Sequence, residues 1–263
     1  MKIDPKKSLG QNFLIDKNII EKICNAANIT RNDNVLEIGP GTGNLTDFIL
    51  QKKPKKFHVI EKDERLIKNL NQRFYDKITI INEDILKYDL KLLSDKDLII
   101  FGNLPYNISS QILANFINYP YSEFSYKKLV FMFQKEVADR ILAKDNSKNY
   151  GRLSIFSSWK LNIKKIMDIN PSSFFPKPKV MSSLLIFEPK INYIKFKNSK
   201  NLEHITNVFF NQRRKMIKKP INILFKNSET VIKDLKLDTN LRPQNLKKDT
   251  FYKICLIYEK LIN

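Results

Sequence analysis

Asn103-Leu104-Pro105-Tyr106 lies inside Leu98 to Ser122, a run without a single charged residue in a chain that is 28% charged. The Asn side-chain oxygen and the Leu104 carbonyl can accept hydrogen bonds from the protons of an exocyclic amine. Pro105 stiffens the turn and presents no N–H of its own, and Tyr106 offers a face on which a base taken out of its stack can rest. This set suits transfer of a group to a ring-conjugated amine such as adenine N6, a poor nucleophile until acceptors on its protons favour a pyramidal nitrogen. An isolated tetrapeptide of this kind would equally make a loop with a core tyrosine. Its position at the end of an apolar run, downstream of a glycine turn, favours the chemical reading.

That turn is Glu37-Ile38-Gly39-Pro40-Gly41-Thr42-Gly43, where glycine lets a ligand approach the backbone closely. Alone it is compatible with a nucleotide, a dinucleotide or S-adenosylmethionine. No lysine follows to cradle phosphates as a P-loop requires. The acid before the first glycine is expected to repel phosphate and to attract a sulfonium or ammonium group. Glu61, 18 residues beyond Gly43, can accept hydrogen bonds from ribose hydroxyls, and Asp84 can contact an adenine ring. Each acid alone would pass for a solvated strand end, but together they fall at successive strand ends, where ligands of parallel sheets collect. The nicotinamide-dinucleotide reading is the lesser one.

The elements that must hold these residues alternate. Asp16 caps a helix with Ile19, Ile20, Ile23, Cys24 and Ala27 on one face, and strands follow at 34–39, 56–62, 78–84 and 97–103 with helices between them. The helix after the fourth strand buries Ile108, Ile112, Leu113, Phe116 and Ile117. Further strands at 127–134 and 181–189 flank a helix at 135–143. Strand, turn and helix in repetition predict a doubly wound α/β sheet, Rossmann-like. The pattern stops at Pro189, and 202–263 shows helical periodicity alone. Residues 1–192 are therefore read as a catalytic domain and 193–263 as a small all-helical one, the boundary falling in the polar, basic 190–200 segment.

The chain has 263 residues and a formal charge of +20, which favours a polyanionic partner. Lysine outnumbers arginine 39 to 8, so part of that charge is compositional drift. Its distribution is more telling: residues 190–263 carry 17 basic and 6 acidic groups, the candidate electrostatic footprint. Arg213, Arg214 and Lys215 end a helical pattern there and are candidates for phosphate contacts, against the alternative of a solvated helix face. Cys24 and Cys255 have no metal-ligand or disulfide spacing, and no metal is expected. Cys24 and His58 read as structural; His204 and Trp159 receive no role. The N-terminus lacks an apolar signal region and the uncharged run holds Gly, Pro and Asn, so a cytoplasmic protein with no membrane partner is expected.

The runs SLGQNFL (8–14), EIGPGTGNLT (37–46), NLPYNISS (103–110), QKEVADRI (134–141), YGRLS (150–154), FFPKPKV (174–180) and QRRK (212–215) resemble the KsgA-type small-subunit ribosomal RNA adenine dimethyltransferases. They cover almost the whole chain, in order. The resemblance implies a S-adenosylmethionine-dependent enzyme that dimethylates N6 of two adjacent adenosines near the 3′ end of 16S rRNA. The substrate would be small-subunit rRNA within an immature 30S particle, and the enzyme a monomer. It further implies that Asn12 and Leu14 join Gly39, Gly41, Glu61, Asp84 and Asn103 around the cofactor. Phe174 or Phe175 would stack on the target base opposite Tyr106. LRPQNL (241–246) and Lys219-Pro220 depart from the family pattern, in the C-terminal segment alone. Two other readings stay open: a large-subunit (23S) rRNA adenine methyltransferase of the macrolide-resistance type, and a non-catalytic nucleic-acid-binding relative. A DNA adenine methyltransferase is disfavoured, since no large domain for reading duplex bases is present.

Overall fold

The structure is a computed structural model and describes residues 4–93 and 95–261. The chain forms two compact units, Met1–Ala138 with Asn162–Pro189, and Asp139–Leu161 with Lys190–Asn263.

The first unit is built on a sheet. In chain order it contains β1 (Phe13–Leu14), α1 (Lys17–Ala27), β2 (Asn34–Ile38), α2 (Asn44–Gln51), β3 (Lys56–Glu61), α3 (Glu64–Phe74) and β4 (Thr79–Asn82). Next come β5 (Leu98–Gly102), α4 (Ser109–Asn118), β6 (Tyr126–Gln134) and the start of α5 (Lys135–Leu142). After α6 (Arg152–Lys160), which belongs to the second unit, the sheet resumes with β7 (Leu161–Ile169), β8 (Phe174–Phe175) and β9 (Ser182–Pro189). Among the described residues the main sheet runs β4-β3-β2-β5-β6-β9-β7. Pairs β3/β4, β2/β3, β2/β5 and β5/β6 are parallel, and β9 joins β6 antiparallel.

The local reasons are plain. The central strands are buried on both faces, as parallel strands covered by helices must be; β5, Leu-Ile-Ile-Phe-Gly, is buried throughout. Asp16 caps α1 by accepting from the Asn18 and Ile19 N–H groups at 3.0 and 3.2 Å, and Asn28 closes the helix in the left-handed conformation. α1 sets Ile20, Ile23, Cys24 and Ala27 into a core shared with Val35, Val59, Phe101 and Val130 of the sheet. The order of the strands reverses between β2 and β5. That switch point opens a crevice at the carboxyl ends of the strands, where open α/β sheets bind ligands.

Periodicity did not reveal three strands. β7 is an edge strand whose Asn162, Lys164 and Asp168 are exposed, the charged character that keeps edges from pairing with other chains. β1 and β8 are two residues each and exist only by pairing with one another, Phe13 with Phe175 and Leu14 with Phe174.

The second unit holds α6, the end of α5, and α7 (Ser199–Asn211), α8 (Lys218–Leu224), α9 (Ser228–Asp234) and α10 (Lys248–Leu261). Phe251 of α10 packs edge-on to Phe209 and stacks on Phe210, with ring centroids 5.3 and 5.7 Å apart. Trp159 donates its indole N–H to the Ile194 carbonyl at 2.7 Å and faces Phe196, which gives this residue a structural role. Buried Glu259 accepts from the Lys197 and Asn198 N–H groups and so fixes the entry to α7.

Candidate active site

The crevice at the switch point measures about 970 Å³ out to its open mouth and is lined from four directions: the arm before α1, the glycine turn after β2, the ends of β3 and β4, and the Asn103–Tyr106 turn after β5. It gathers Asn12, Leu14, Gly39, Gly41, Glu61, Asp84, Asn103, Leu104, Pro105 and Tyr106, residues separated by up to 94 positions in sequence.

The glycine turn shows why glycine is needed. Gly39 and Gly41 have φ of 65° and 60°, in the left-handed region that side chains disfavour. A Cβ on Gly41 would stand 2.8 Å from the Phe13 ring, so the arm lies directly on the turn. A Cβ on Gly39 would meet no atom within 4 Å; its face of the turn opens to the crevice.

The three acids differ in state. Glu37 is buried and accepts from the Thr46 hydroxyl at 2.7 Å. Burial above all, with Glu61 and Asp47 adding repulsion and the Thr46 bond opposing, raises its pKa to about 8. In the free protein burial therefore favours the protonated form, against the standing negative charge expected of it from sequence. Its visible work is to tie β2 to α2. Glu61 is also raised, first by burial, against N–H bonds from Asp63, Lys62 and Gly41. Its Oε1 takes the Lys62 and Asp63 N–H groups, both at 2.9 Å. Asp84 is desolvated, yet the Leu86 N–H at 3.0 Å and the Lys62 ammonium at 3.2 Å hold it below the usual carboxylate range.

At the other end, Asn103 donates its amide to the Asn12 carbonyl at 2.8 Å, which leaves Oδ1 as its acceptor. The Tyr106 hydroxyl shares a 2.6 Å hydrogen bond with Ser182 of β9, fixing the ring; burial raises its pKa and keeps the phenol neutral. The two phenylalanines part company. Phe174 is buried in the core cluster that includes Leu14 and Ile169, whereas Phe175 is 48% exposed. Neither lines the crevice itself, but both sit on β8, paired to the arm.

In the second unit, Arg213, Arg214 and Lys215 occupy the turn after α7. Arg213 is committed to structure through the Gln244 side chain at 3.2 Å and the Ser147 and Lys148 carbonyls, while Arg214 and Lys215 are exposed. Among the described residues, no three or more His, Cys, Asp or Glu are grouped to hold a metal ion, and no helix is long and apolar enough to cross a membrane.

Sequence reasoning missed Gln11, Thr46, Asp63 and Ser182, the polar partners that hold the site residues. Gln11 and Thr46 lie inside the quoted runs and Asp63 and Ser182 two residues beyond site or motif positions, the signal that could have found them.

Residues 3–260 match the family model described as "Ribosomal RNA adenine dimethylase". The chain is 57% identical over 261 residues, 99% of each chain, to the ribosomal RNA small subunit methyltransferase A of Pelagibacter ubique (strain HTCC1062). With the protein of the same name from Prochlorococcus marinus (strain AS9601) it shares 41% identity over 257 residues, 95% of this chain and 94% of that one. The crystal structure of a dimethyladenosine transferase from Plasmodium falciparum superposes with a TM-score of 0.78 at 29% identity, covering 94% of this chain and 98% of the other. The 23S rRNA methyltransferase ErmE shares the fold, with a TM-score of 0.70 at 19% identity over 95% of this chain and 100% of the other. A crevice at the switch point, a glycine turn beneath it and an Asn-Leu-Pro-Tyr turn at its end thus occur in a chain that belongs, over nearly its whole length, to the ribosomal RNA adenine dimethylase family.

Proposed function

We propose that this protein transfers methyl groups from S-adenosylmethionine to N6 of two adjacent adenosines near the 3′ end of small-subunit (16S) rRNA, two to each adenosine. The observation that carries the reading is the Asn103 side chain, which lines the crevice and is anchored through its amide nitrogen to Asn12, leaving its oxygen as a free acceptor. The names borne by relatives at 57% and 41% identity support the substrate class.

The residues fit this co-substrate. Gly39 offers a backbone surface, Glu61 an acceptor for ribose hydroxyls at the end of β3, and Asp84 an acceptor for an adenine amine at the end of β4. When bound, S-adenosylmethionine supplies a methyl group on a positively charged sulfur. Everything else is positioning. Asn103 Oδ1 and the Leu104 carbonyl accept the two amine protons of the target adenine and turn its lone pair toward the methyl. Tyr106 holds the base by its face, with Phe175 on the far side; Phe174 could serve there only by leaving the core. No covalent enzyme intermediate is formed, and the site must admit the monomethylated amine for the second transfer.

In this reading the division of labour follows the two units, with 1–192 as the transfer domain less Asp139–Leu161, which joins the C-terminal helices of the docking domain, and with Arg214 and Lys215 on the phosphate backbone. The natural substrate is an assembling 30S particle, and the enzyme acts as a cytoplasmic monomer. Nucleoside mass analysis after incubation with S-adenosylmethionine and immature small subunits tests it: N6,N6-dimethyladenosine supports the proposal, and its absence rejects it.

A further inference from the structure

The arm that carries Asn12 and Leu14 is fastened at four points, two of which lead to residues that line the crevice. The Leu14 carbonyl accepts from Asn44 at the start of α2 at 2.8 Å, the Asn12 carbonyl from Asn103, and β1 pairs with β8. The fourth is Asp63, which the reading of the site leaves without a task. Its carboxylate is buried, with 3% of the residue exposed. Oδ2 accepts from Gln11 Nε2 at 2.9 Å and from Arg65 Nη2 at 2.7 Å. Oδ1 takes Arg65 Nε at 3.0 Å and caps α3 by accepting from the Arg65 N–H at 3.2 Å. Gln11 completes the circuit, its Oε1 accepting from the Lys6 N–H at 2.7 Å, while Arg65 Nη1 reaches the Asp4 carbonyl at 3.1 Å. The Asp63 N–H meanwhile holds Glu61.

We infer that Asp63 is a positioning residue that latches the arm across the crevice, setting affinity for S-adenosylmethionine through Asn12, Leu14 and Glu61 without touching it. The inference rests on the cofactor reading above. A cap alone would need only Oδ1. The second oxygen is shared between Arg65 and Gln11, a residue 52 positions away in the arm, and Lys6 of the same arm lies 3.7 Å from the first; contacts of this reach are what a latch requires.

The two roles separate chemically. Asp63→Asn keeps Oδ1 and with it a good helix cap, but sets an amide against Gln11 Nε2 and Arg65 Nη2, donor against donor. Gln11 can turn to accept only by giving up the Lys6 N–H that its oxygen now serves. Adding Gln11→Glu restores an acceptor opposite the new amide and still serves Lys6.

Calorimetric titration of the full chain with S-adenosylmethionine, paired with steady-state methylation, tests this. Asp63→Asn is expected to weaken binding and raise KM for S-adenosylmethionine about tenfold, the size of one lost charge-assisted hydrogen bond. At saturating S-adenosylmethionine kcat should fall less than about twofold, because the latch holds no reacting group and binding lost equally from ground and transition states leaves kcat unchanged. Adding Gln11→Glu should recover most of the affinity. Gln11→Leu, which leaves the α3 cap intact, should reproduce the weakening if Asp63→Asn fails to fold. Unchanged affinity in Asp63→Asn, or no recovery in the double variant, overturns the latch. Failure of the unaltered protein to bind S-adenosylmethionine overturns the cofactor reading, and the latch with it.

Discussion

Asn103 and Asn12, 91 residues apart, meet in a single 2.8 Å hydrogen bond from the side-chain amide of one to the backbone carbonyl of the other. That bond fixes which face of Asn103 looks into the crevice, and it depends on the arm being in place. Asn103→Ala removes the acceptor for the amine proton and should lower kcat by about 10² to 10³, the range for deleting one preorganised group in a transition-state site. RNA affinity should stay near that of the unaltered protein. A filter-binding assay beside the methylation assay checks both, and loss of RNA binding with intact transfer would reject the assignment.

Tyr106 separates ring from hydroxyl. Tyr106→Phe loses the bond to Ser182, about 1 kcal/mol, and should slow transfer by less than about tenfold. Tyr106→Ala also loses a stacking face of about 1 to 3 kcal/mol and should raise KM for RNA more steeply. Equal defects in the two variants would mean that the ring does not meet a base.

The two phenylalanines of β8 should diverge. Phe174→Ala empties a packed core position and should destabilise the protein by about 3 to 5 kcal/mol. Phe175→Ala should leave the melting temperature nearly unchanged while weakening RNA turnover. Normal turnover in Phe175→Ala would remove Phe175 from the base site.

Glu37 predicts a pH signature. Its carboxyl is lifted from the ordinary 4.5 to about 8, so the folded state binds the proton more tightly than the unfolded one. The stability this contributes is complete below the unfolded value and is lost as pH rises through the window between them. Glu37→Gln keeps an acceptor for Thr46 and carries no charge. Its melting temperature should match that of the unaltered protein near pH 4 and exceed it progressively toward pH 8. A variant that loses ground as pH rises would show that Glu37 is charged and stabilising.

Arg214 and Lys215 should behave as phosphate contacts and Arg213 as a structural group. Removing each exposed charge should reduce the slope of log affinity against log salt by about 0.7 to 0.9. Arg213→Ala should instead lower the melting temperature, because it frees Gln244 and two carbonyls of the second unit.

Residues whose neighbours in sequence decide their setting were legible from the sequence. The glycine turn, Glu61 and Asn103 to Tyr106 each follow a buried apolar strand, Asp84 follows the half-exposed edge strand β4, and parallel strands bring their carboxyl ends together. What escaped depends on distant partners. Pairing of Phe13 with Phe175 makes β1 and β8, and no local pattern announces a two-residue strand. β7 carries the charges of an edge and so hides its alternation. Glu37 looked like a fixed negative charge until Thr46 and the surrounding core were in place, and Arg213 looked like its two neighbours until Gln244 came near. That Asp139–Leu161 sits with the C-terminal helices depends on Tyr150 against Phe210 and Tyr252 on the Ile155 carbonyl.

The most direct test is transfer of labelled methyl groups from S-adenosylmethionine to immature small subunits, free small-subunit rRNA and large-subunit rRNA in parallel, with mass analysis of the nucleosides. The account predicts N6,N6-dimethyladenosine in immature small subunits and none in large-subunit RNA. Label confined to large-subunit RNA, or found in no sample, would contradict it.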